Sequence, residues 1–348
     1  VSLDPEQRGR LLAAKLVALI DERRGPGGPR PVVTPLPGGA GARLEGSHGR
    51  AERWVLVDAV GGLSFGAALA WATREPVDGI TLLVDGAPAG SLARRAQLFD
   101  LPVEVLRVDG RALTPAAPSP VSVGDEVPPS ALELIDLLVE AGAEVVVEHG
   151  TVRGEVRGLE IARVVVADDG ARLEVGVGRH DREAFAMVHG NRPTHEALAS
   201  VIATVAAERV PGRPTHPLNR LAGERWMRRW VIEHPEVVGA VGLEAVASTT
   251  DRESLQDRAS AVAVGRSLDG GPLVVACSVG ADLDLVPAAA DARAVHAPEA
   301  ELVLALPSRD AHAVTRRLAA ALHRPARLVD VEEPWRADAP AATDPSRS

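Results

Sequence analysis

Two glutamates, Glu160 and Glu174, stand 14 residues apart in the stretch "GLEIARVVVADDGARLEVGV". Valine-rich runs on either side of "DDG" read as two antiparallel strands around a tight turn, so each strand carries one acid. Carboxylates that converge across neighbouring strands offer hard oxygen ligands, and Mg²⁺ is the cation such a pair would take. The competing reading is plainer: two polar residues on the exposed face of a hairpin. Asp282 and Asp284 follow the apolar run "PLVVACSVG" and share one face of an extended segment, which makes them a second candidate metal pair. The same two acids would serve equally well to cap and charge-compensate the helix that follows.

The densest polar cluster comes directly after the hairpin, in "GRHDREAFAMVHGNRPTHEA" (178–197). Arg179 stands beside the acid pair in sequence. Asp181, Arg182, His189 and His195 are candidate binding residues, because the end of a strand in an α/β sheet is where ligands gather. The histidines are of the type that ligates metal or takes a proton. Their spacing matches no zinc motif, and a solvated loop between strand and helix competes with the binding reading. A second stretch, "RPTHPLNRLAGERWMRRW" (213–230), interleaves Arg225, Arg228 and Arg229 with Trp226 and Trp230. Such a patch can meet phosphates and bases; alternatively the tryptophans point inward and the arginines are solvated.

Composition removes several chemistries. Lys15 is the only lysine in 348 residues, and it falls on an amphipathic first helix. P-loop, kinase-type, Schiff-base and pyridoxal chemistries therefore lack their lysine. Cys277 is the only cysteine, so no disulfide within the chain and no thiolate zinc site can form. The net charge of −10 argues against a general nucleic-acid coat and leaves only a local arginine patch for such a partner. The Ala, Gly, Val and Arg bias is that of a GC-rich coding sequence of actinobacterial type. No leader-like segment is read and no apolar run approaches the roughly 18 residues of a membrane span, so a cytoplasmic protein without a membrane partner is expected. A homodimer is left open.

The elements that would position these residues read as α/β. A helix over 5–23, with Leu11, Leu12, Leu16 and Leu19 on one face, precedes three short strands (31–36, 42–46 and 53–59). Helix 63–74, strand 79–85, helix 89–99 and strand 103–108 follow. "PLPGGAG" (35–41) reads as a hairpin turn. A first domain over 1–112, a Pro- and Ser-rich linker over 113–129, a second domain over 130–336 and a disordered tail over 337–348 are expected. In the second domain a helix over 130–141 is expected with Ser130 as its cap, then strand 144–150 and the hairpin. A helix over 195–209 is expected with Thr194 as cap, then a mainly helical elaboration near 211–270. Residues 54–108 and 272–331 read alike, strand-helix-strand-helix-strand, which suggests an internal duplication.

Helix, three meandering strands and then β-α-β resembles the PD-(D/E)XK, or restriction-endonuclease-like, superfamily. The resemblance rests on 134–177, where Glu160 matches the first acid and Glu174 the second, with a fainter echo in Glu45 and Asp58, 13 apart. It implies two tandem α-βββ-αβ-αβ units with mixed sheets flanked by helices. It also implies Mg²⁺ on the acids, polarising a phosphodiester and activating water. The family's lysine, two residues after the second acid, is Gly176 in one half and Val60 in the other, and the nearby Arg179 is a poor substitute for a compact ammonium. The reading is therefore a non-catalytic or ligand-binding protein on a degenerate nuclease-like fold. A Mg²⁺-dependent nuclease or DNA-repair accessory is the alternative.

Overall fold

The computed structural model describes residues 4–25, 28–45, 50–58, 62–121, 126–168, 170–189, 195–212, 217–250, 259–334 and 336. The chain divides into two compact units. The first is Val1–Val121 with Leu283–Asp291 and Ala313–Pro325; the second is Ser122–Asp282 with Ala292–His312 and Ala326–Ser348.

The first unit is built on a six-stranded mixed sheet whose strands lie in sequence order. The elements are α1 (Pro5–Arg24), β1 (Val32–Leu36), β2 (Gly39–Glu45), β3 (Ala51–Val57), α2 (Phe65–Ala72), β4 (Gly79–Asp85), α3 (Ala89–Ala96), β5 (Val103–Asp109) and β6 (Ala112–Pro115). β1, β2 and β3 form an antiparallel meander, while β3, β4 and β5 run parallel across the helical crossovers. Leu16, Leu19 and Ile20 of α1 are buried on Ala40, Ala42, Trp54, Leu56 and Leu106. Leu11, expected on that stripe, is 56 % exposed, because the packed positions are the partly buried Leu12 and the buried Leu16, Leu19 and Ile20, and Leu11 lies about one residue's rotation off them. In "PLPGGAG" the turn is confined to Pro37–Gly38, and the remaining glycines lie in β2. A Cβ at Gly41 would sit 2.7 Å from the Trp71 ring of α2, so glycine there admits a tryptophan rather than a turn. β6 corrects the start of the expected linker: residues 112–115 pair antiparallel with β5, and Pro115 is tolerated because the strand is at the sheet edge.

The second unit holds two sheets. Its elements begin with α4 (Pro129–Leu132), α5 (Ile135–Glu140), β7 (Glu144–Glu148), β8 (Thr151–Val156), β9 (Leu159–Ala167), β10 (Gly170–Val175), α6 (Gly178–His189) and α7 (His195–Glu208). They continue with α8 (Gly223–Glu233), β11 (Ala240–Val246), β12 (Ala261–Ser267), β13 (Pro272–Cys277), β14 (Glu301–Leu306) and β15 (Arg327–Asp330), while α9 (Leu285–His296) up to Asp291 and the whole of α10 (Ala313–Ala320) are counted with the first unit. Strands β7 to β10 form an all-antiparallel sheet, and β11 to β15 form a mixed one with parallel pairing from β13 onward.

Several expectations change here. The helix over 130–141 is two short helices, and Ser130 lies inside the first rather than capping it. The polar cluster after the hairpin is largely helical, not a loop. The stretch 211–270 is not a helical elaboration: besides α8 it supplies β11 and β12. Most important, the hairpin bearing Glu160 and Glu174 belongs to a sheet of its own. The strands that meander into the parallel β13-α9-β14-α10-β15 run are β11 and β12, not β8 to β10. The order helix, three antiparallel strands, α, β, α, β thus occurs in α1 to β5 and again in α8 to β15. Thr194, Val60, part of the expected linker and the 337–348 tail lie outside the described residues.

Among the described residues no helix is long and apolar enough to cross a membrane.

Candidate functional site

The two faces of the β7–β10 sheet differ in kind. One face carries Val152, Val156, Leu159, Ala162, Val164, Leu173 and Val175, buried against Ala131, Leu138, Leu198 and Val205 of α4, α5 and α7. The other face is charged. Strict alternation along β9 would put Glu160 with Ala162 and Val164 on the apolar side. A bulge prevents this: Gly154 pairs with Ala162 but Glu155 pairs with Glu160, so Ile161 is an additional residue and the pattern is reset. Glu160 thereby joins Arg163 on the charged face. Glu174 lies directly opposite Arg163 on β10, and Arg153 directly opposite it on β8.

The two candidate acids therefore meet, and they meet around arginine. Arg182, from the first turns of α6, places Nη1 3.3 Å from Glu160 Oε1 and Nε 3.7 Å from Glu174 Oε2. Arg153 Nη1 donates to Glu160 Oε2 at 2.8 Å. Arg163 donates from Nε and Nη2 to Glu174 Oε2 at 3.2 and 3.0 Å, and Arg172 Nη2 to Glu174 Oε1 at 3.5 Å. All four carboxylate oxygens accept from a guanidinium. Burial lowers the Arg182 pKa, and the neighbouring Arg163 charge lowers it further against the pull of Glu160 and Glu174.

Gly176, the position of the expected lysine, explains how α6 reaches the acids. Its φ is +138°, and a Cβ there would lie 2.6 Å from Arg182 N and 2.7 Å from the Asp181 carbonyl carbon. The α6 backbone occupies the space a side chain would need, and it carries Arg182 over the carboxylates.

The remaining candidates whose side chains are described do not join this group. Arg179 is solvent-exposed and bonds Glu183 one turn along α6 at 2.8 Å, an interaction that raises its pKa. Asp181 is exposed, and His195 opens α7 with Nε2 3.0 Å from the Glu140 carbonyl oxygen at the end of α5. His189 ends α6. Asp284 caps the first turn of α2 through Gly66 N at 2.7 Å and pairs with Arg95 at 2.9 Å, so its role in the first unit is structural; Asp282 lies in the second unit. Glu45 and Asp58 do not converge. Glu45 pairs with Ala51 at one end of the β2–β3 hairpin, Asp58 follows Val57 at the other, and roughly 20 Å of strand separates them. Asp58 accepts from Arg8 Nε at 3.1 Å.

Arg225 corrects the nucleic-acid patch. It is 4 % exposed, with Arg228, Glu148 and Glu155 buried around it. Arg225 binds Glu155 at 2.6 Å and also Glu148; Arg228 reaches the same two acids at 2.9 and 3.3 Å. A guanidinium enclosed in this way cannot meet a phosphate. α8 faces this charged group on one side and buries Met227 and Val231 against β11, β12 and β13 on the other. Trp226 is buried beneath the Arg209 guanidinium at 4.4 Å, and Trp230 stacks on His234 at 4.0 Å. Arg229 pairs with Glu144 and Glu233.

Among the described residues no group of three or more His, Cys, Asp or Glu is placed to hold a metal ion. The Glu160–Glu174 pair does not suit Mg²⁺, since a cation would have to displace guanidiniums from every carboxylate oxygen. Burial pushes the Cys277 thiol up to about 12, which leaves it inert as a nucleophile. A groove of about 640 Å³ in the first unit, lined by Ala93, Phe99, Pro102, Val103, Glu104 and His323 among others, had no counterpart in the sequence reading. Arg153, Arg163 and Arg172 were also missed. Their signal was the period of two that sets Arg172 beside Glu174 on one strand face.

No family model matches the chain, and no curated protein or solved structure matches it.

Proposed function

We propose that this chain is a non-catalytic, ligand-binding protein built on degenerate restriction-endonuclease-like units. The observation that carries the non-catalytic part of the reading is the arginine cage: Arg182, Arg153, Arg163 and Arg172 take up all four oxygens of Glu160 and Glu174. A nuclease leaves such oxygens open for a metal, and its lysine holds the attacking water; here the lysine position is a glycine filled by backbone. The repeated α-βββ-αβ-αβ order supports the duplicated frame. Glu160 and Glu174 lie outside that frame, in the β7–β10 sheet; within it β12 and β13 carry no acid, Glu244 of β11 is exposed, Glu52 of β3 accepts from Trp54, and Glu45 and Asp58 lie at opposite ends of their hairpin.

The test is a calorimetric Mg²⁺ titration of wild type and Glu174→Ala, run beside a plasmid-cleavage assay. The expected result is no saturable Mg²⁺ binding and no cleavage by either protein. Mg²⁺ binding and cleavage by wild type, both lost in Glu174→Ala, would establish the alternative of a Mg²⁺-dependent nuclease acting through Glu160 and Glu174.

A further inference from the structure

The arginine cage contains more positive charge than its carboxylates balance. Four guanidiniums surround two carboxylates, and the whole group lies on one face of β8, β9 and β10 with α6 beside it. If the carboxylates were the only partners this face had to accommodate, two arginines would complete it, as happens at the other end of the sheet. The side chains of Arg163 and Arg172 are 39 % and 37 % exposed, so the excess is presented to solvent. The two carboxylates accept five N–H bonds from the four arginines, and a guanidinium carries a fork of several donors, so among the described residues most of these donors meet neither carboxylate. The Arg163 charge disfavours the charged form of Arg182, so the cations are held together against their mutual repulsion.

We infer that this face binds a small dianion of the phosphate class, gripped by Arg163, Arg172 and Arg182. Arginine's planar fork matches phosphate oxygens two at a time. The local excess of two positive charges matches a phosphate or phosphomonoester dianion, whereas a carboxylate monoanion would leave one cation unbalanced. A polyanion is disfavoured, because the chain as a whole carries −10 and would repel any extension of the ligand beyond this patch. Glu160 and Glu174 then act as spacers that hold the guanidiniums in place while setting the affinity. The inference rests on the non-catalytic reading, since it assigns a ligand to the same carboxylate face.

The test is calorimetric titration of the full chain at low ionic strength with inorganic phosphate and with glycerol phosphate, with acetate as the monoanion control and a single-stranded oligonucleotide as the polyanion. The variants are Arg172→Ala, Arg163→Ala and the nearly isosteric Glu174→Gln, each checked for an unchanged circular dichroism spectrum. Expected are saturable binding of the phosphate ligands, a loss of roughly tenfold with either arginine variant, and a gain of several-fold with Glu174→Gln, which removes an opposing charge. Tighter binding of glycerol phosphate than of inorganic phosphate would identify an organic phosphomonoester as the source; equal binding would identify the free ion. Absence of phosphate binding, binding indifferent to all three variants, or stronger binding of acetate or the oligonucleotide would overturn the inference. Those outcomes leave the non-catalytic reading standing, which falls only to Mg²⁺-dependent cleavage.

Discussion

The charged face of the β7–β10 sheet has two ends, made of the same two residue types and put to different use. At the β7–β8 end, Glu148 and Glu155 meet Arg225 and Arg228 in a closed box, none of the four more than 4 % exposed. Each arginine reaches both glutamates. At the β9–β10 end, Glu160 and Glu174 meet four arginines, two of them well exposed. The first group is dry and sets two arginines against two glutamates, although Arg153 of the other end also acts on Glu148. The second is cationic and wetted. Counting ion pairs does not tell these ends apart; charge balance and burial do. A balanced buried group fixes how α8 seats on the sheet, while an unbalanced exposed one is the face on which the proposed anion would sit.

The largest expected effect lies in the closed box. Arg228→Ala leaves Glu148 and Glu155 buried with one cation between them and should cost about 3–5 kcal/mol in denaturant unfolding. The pH dependence has a definite sign. Burial alone would raise the Glu148 pKa, but the Arg225 and Arg228 charges outweigh it and hold the carboxyl below its usual value. A depressed carboxylate contributes stability that is present above its unfolded pKa and is lost as pH falls through the lower folded one. The acid limb of the wild-type stability curve should therefore flatten in Arg228→Ala. A small cost with an unchanged acid limb would place both ends in one class and break the comparison.

Gly176→Ala is expected to have an intermediate effect, and it bears on how much of the site could be read from sequence. The substitution strains a φ of +138° and drives a Cβ into the Arg182 backbone, so a loss of about 1–3 kcal/mol is expected by thermal or denaturant unfolding. From sequence, Gly176 was legible only as a missing lysine; its positive role depends on α6, which opens with Gly178 and a run of polar residues that hides its helical period. The α/β class was legible, because β3-α2-β4-α3-β5 and β13-α9-β14-α10-β15 are apolar strands alternating with helices. β11 and β12 were not: "AVGLEAV" and "AVAVGRS" are rich in Ala and Gly with only isolated valines, and so have weak strand character. Glu160 and Glu174 were found as a pair, yet their convergence requires the extra residue Ile161, and a bulge leaves no mark on composition or period. The burial of Arg225 was equally hidden, since its partners Glu148 and Glu155 lie about seventy positions away in the chain.

The smallest effect sharpens the contrast most. Arg172 makes a single bond, at 3.5 Å, to a carboxylate that Arg163 already engages twice, and over a third of its side chain is exposed. An exposed pair of this geometry gains little Coulomb energy in water and loses side-chain entropy to hold its position. Arg172→Ala should therefore change unfolding stability by no more than about 0.5 kcal/mol. Removing one of several crowded cations also relieves repulsion on Arg163 and Arg182, which pushes the change toward zero or slightly beyond it. The same kind of residue on the same sheet face would then differ in consequence by several-fold between its two ends. A loss of 2 kcal/mol or more would mean that Arg172 is needed to hold the cage closed, and the open end would have to be reinterpreted as a second structural box.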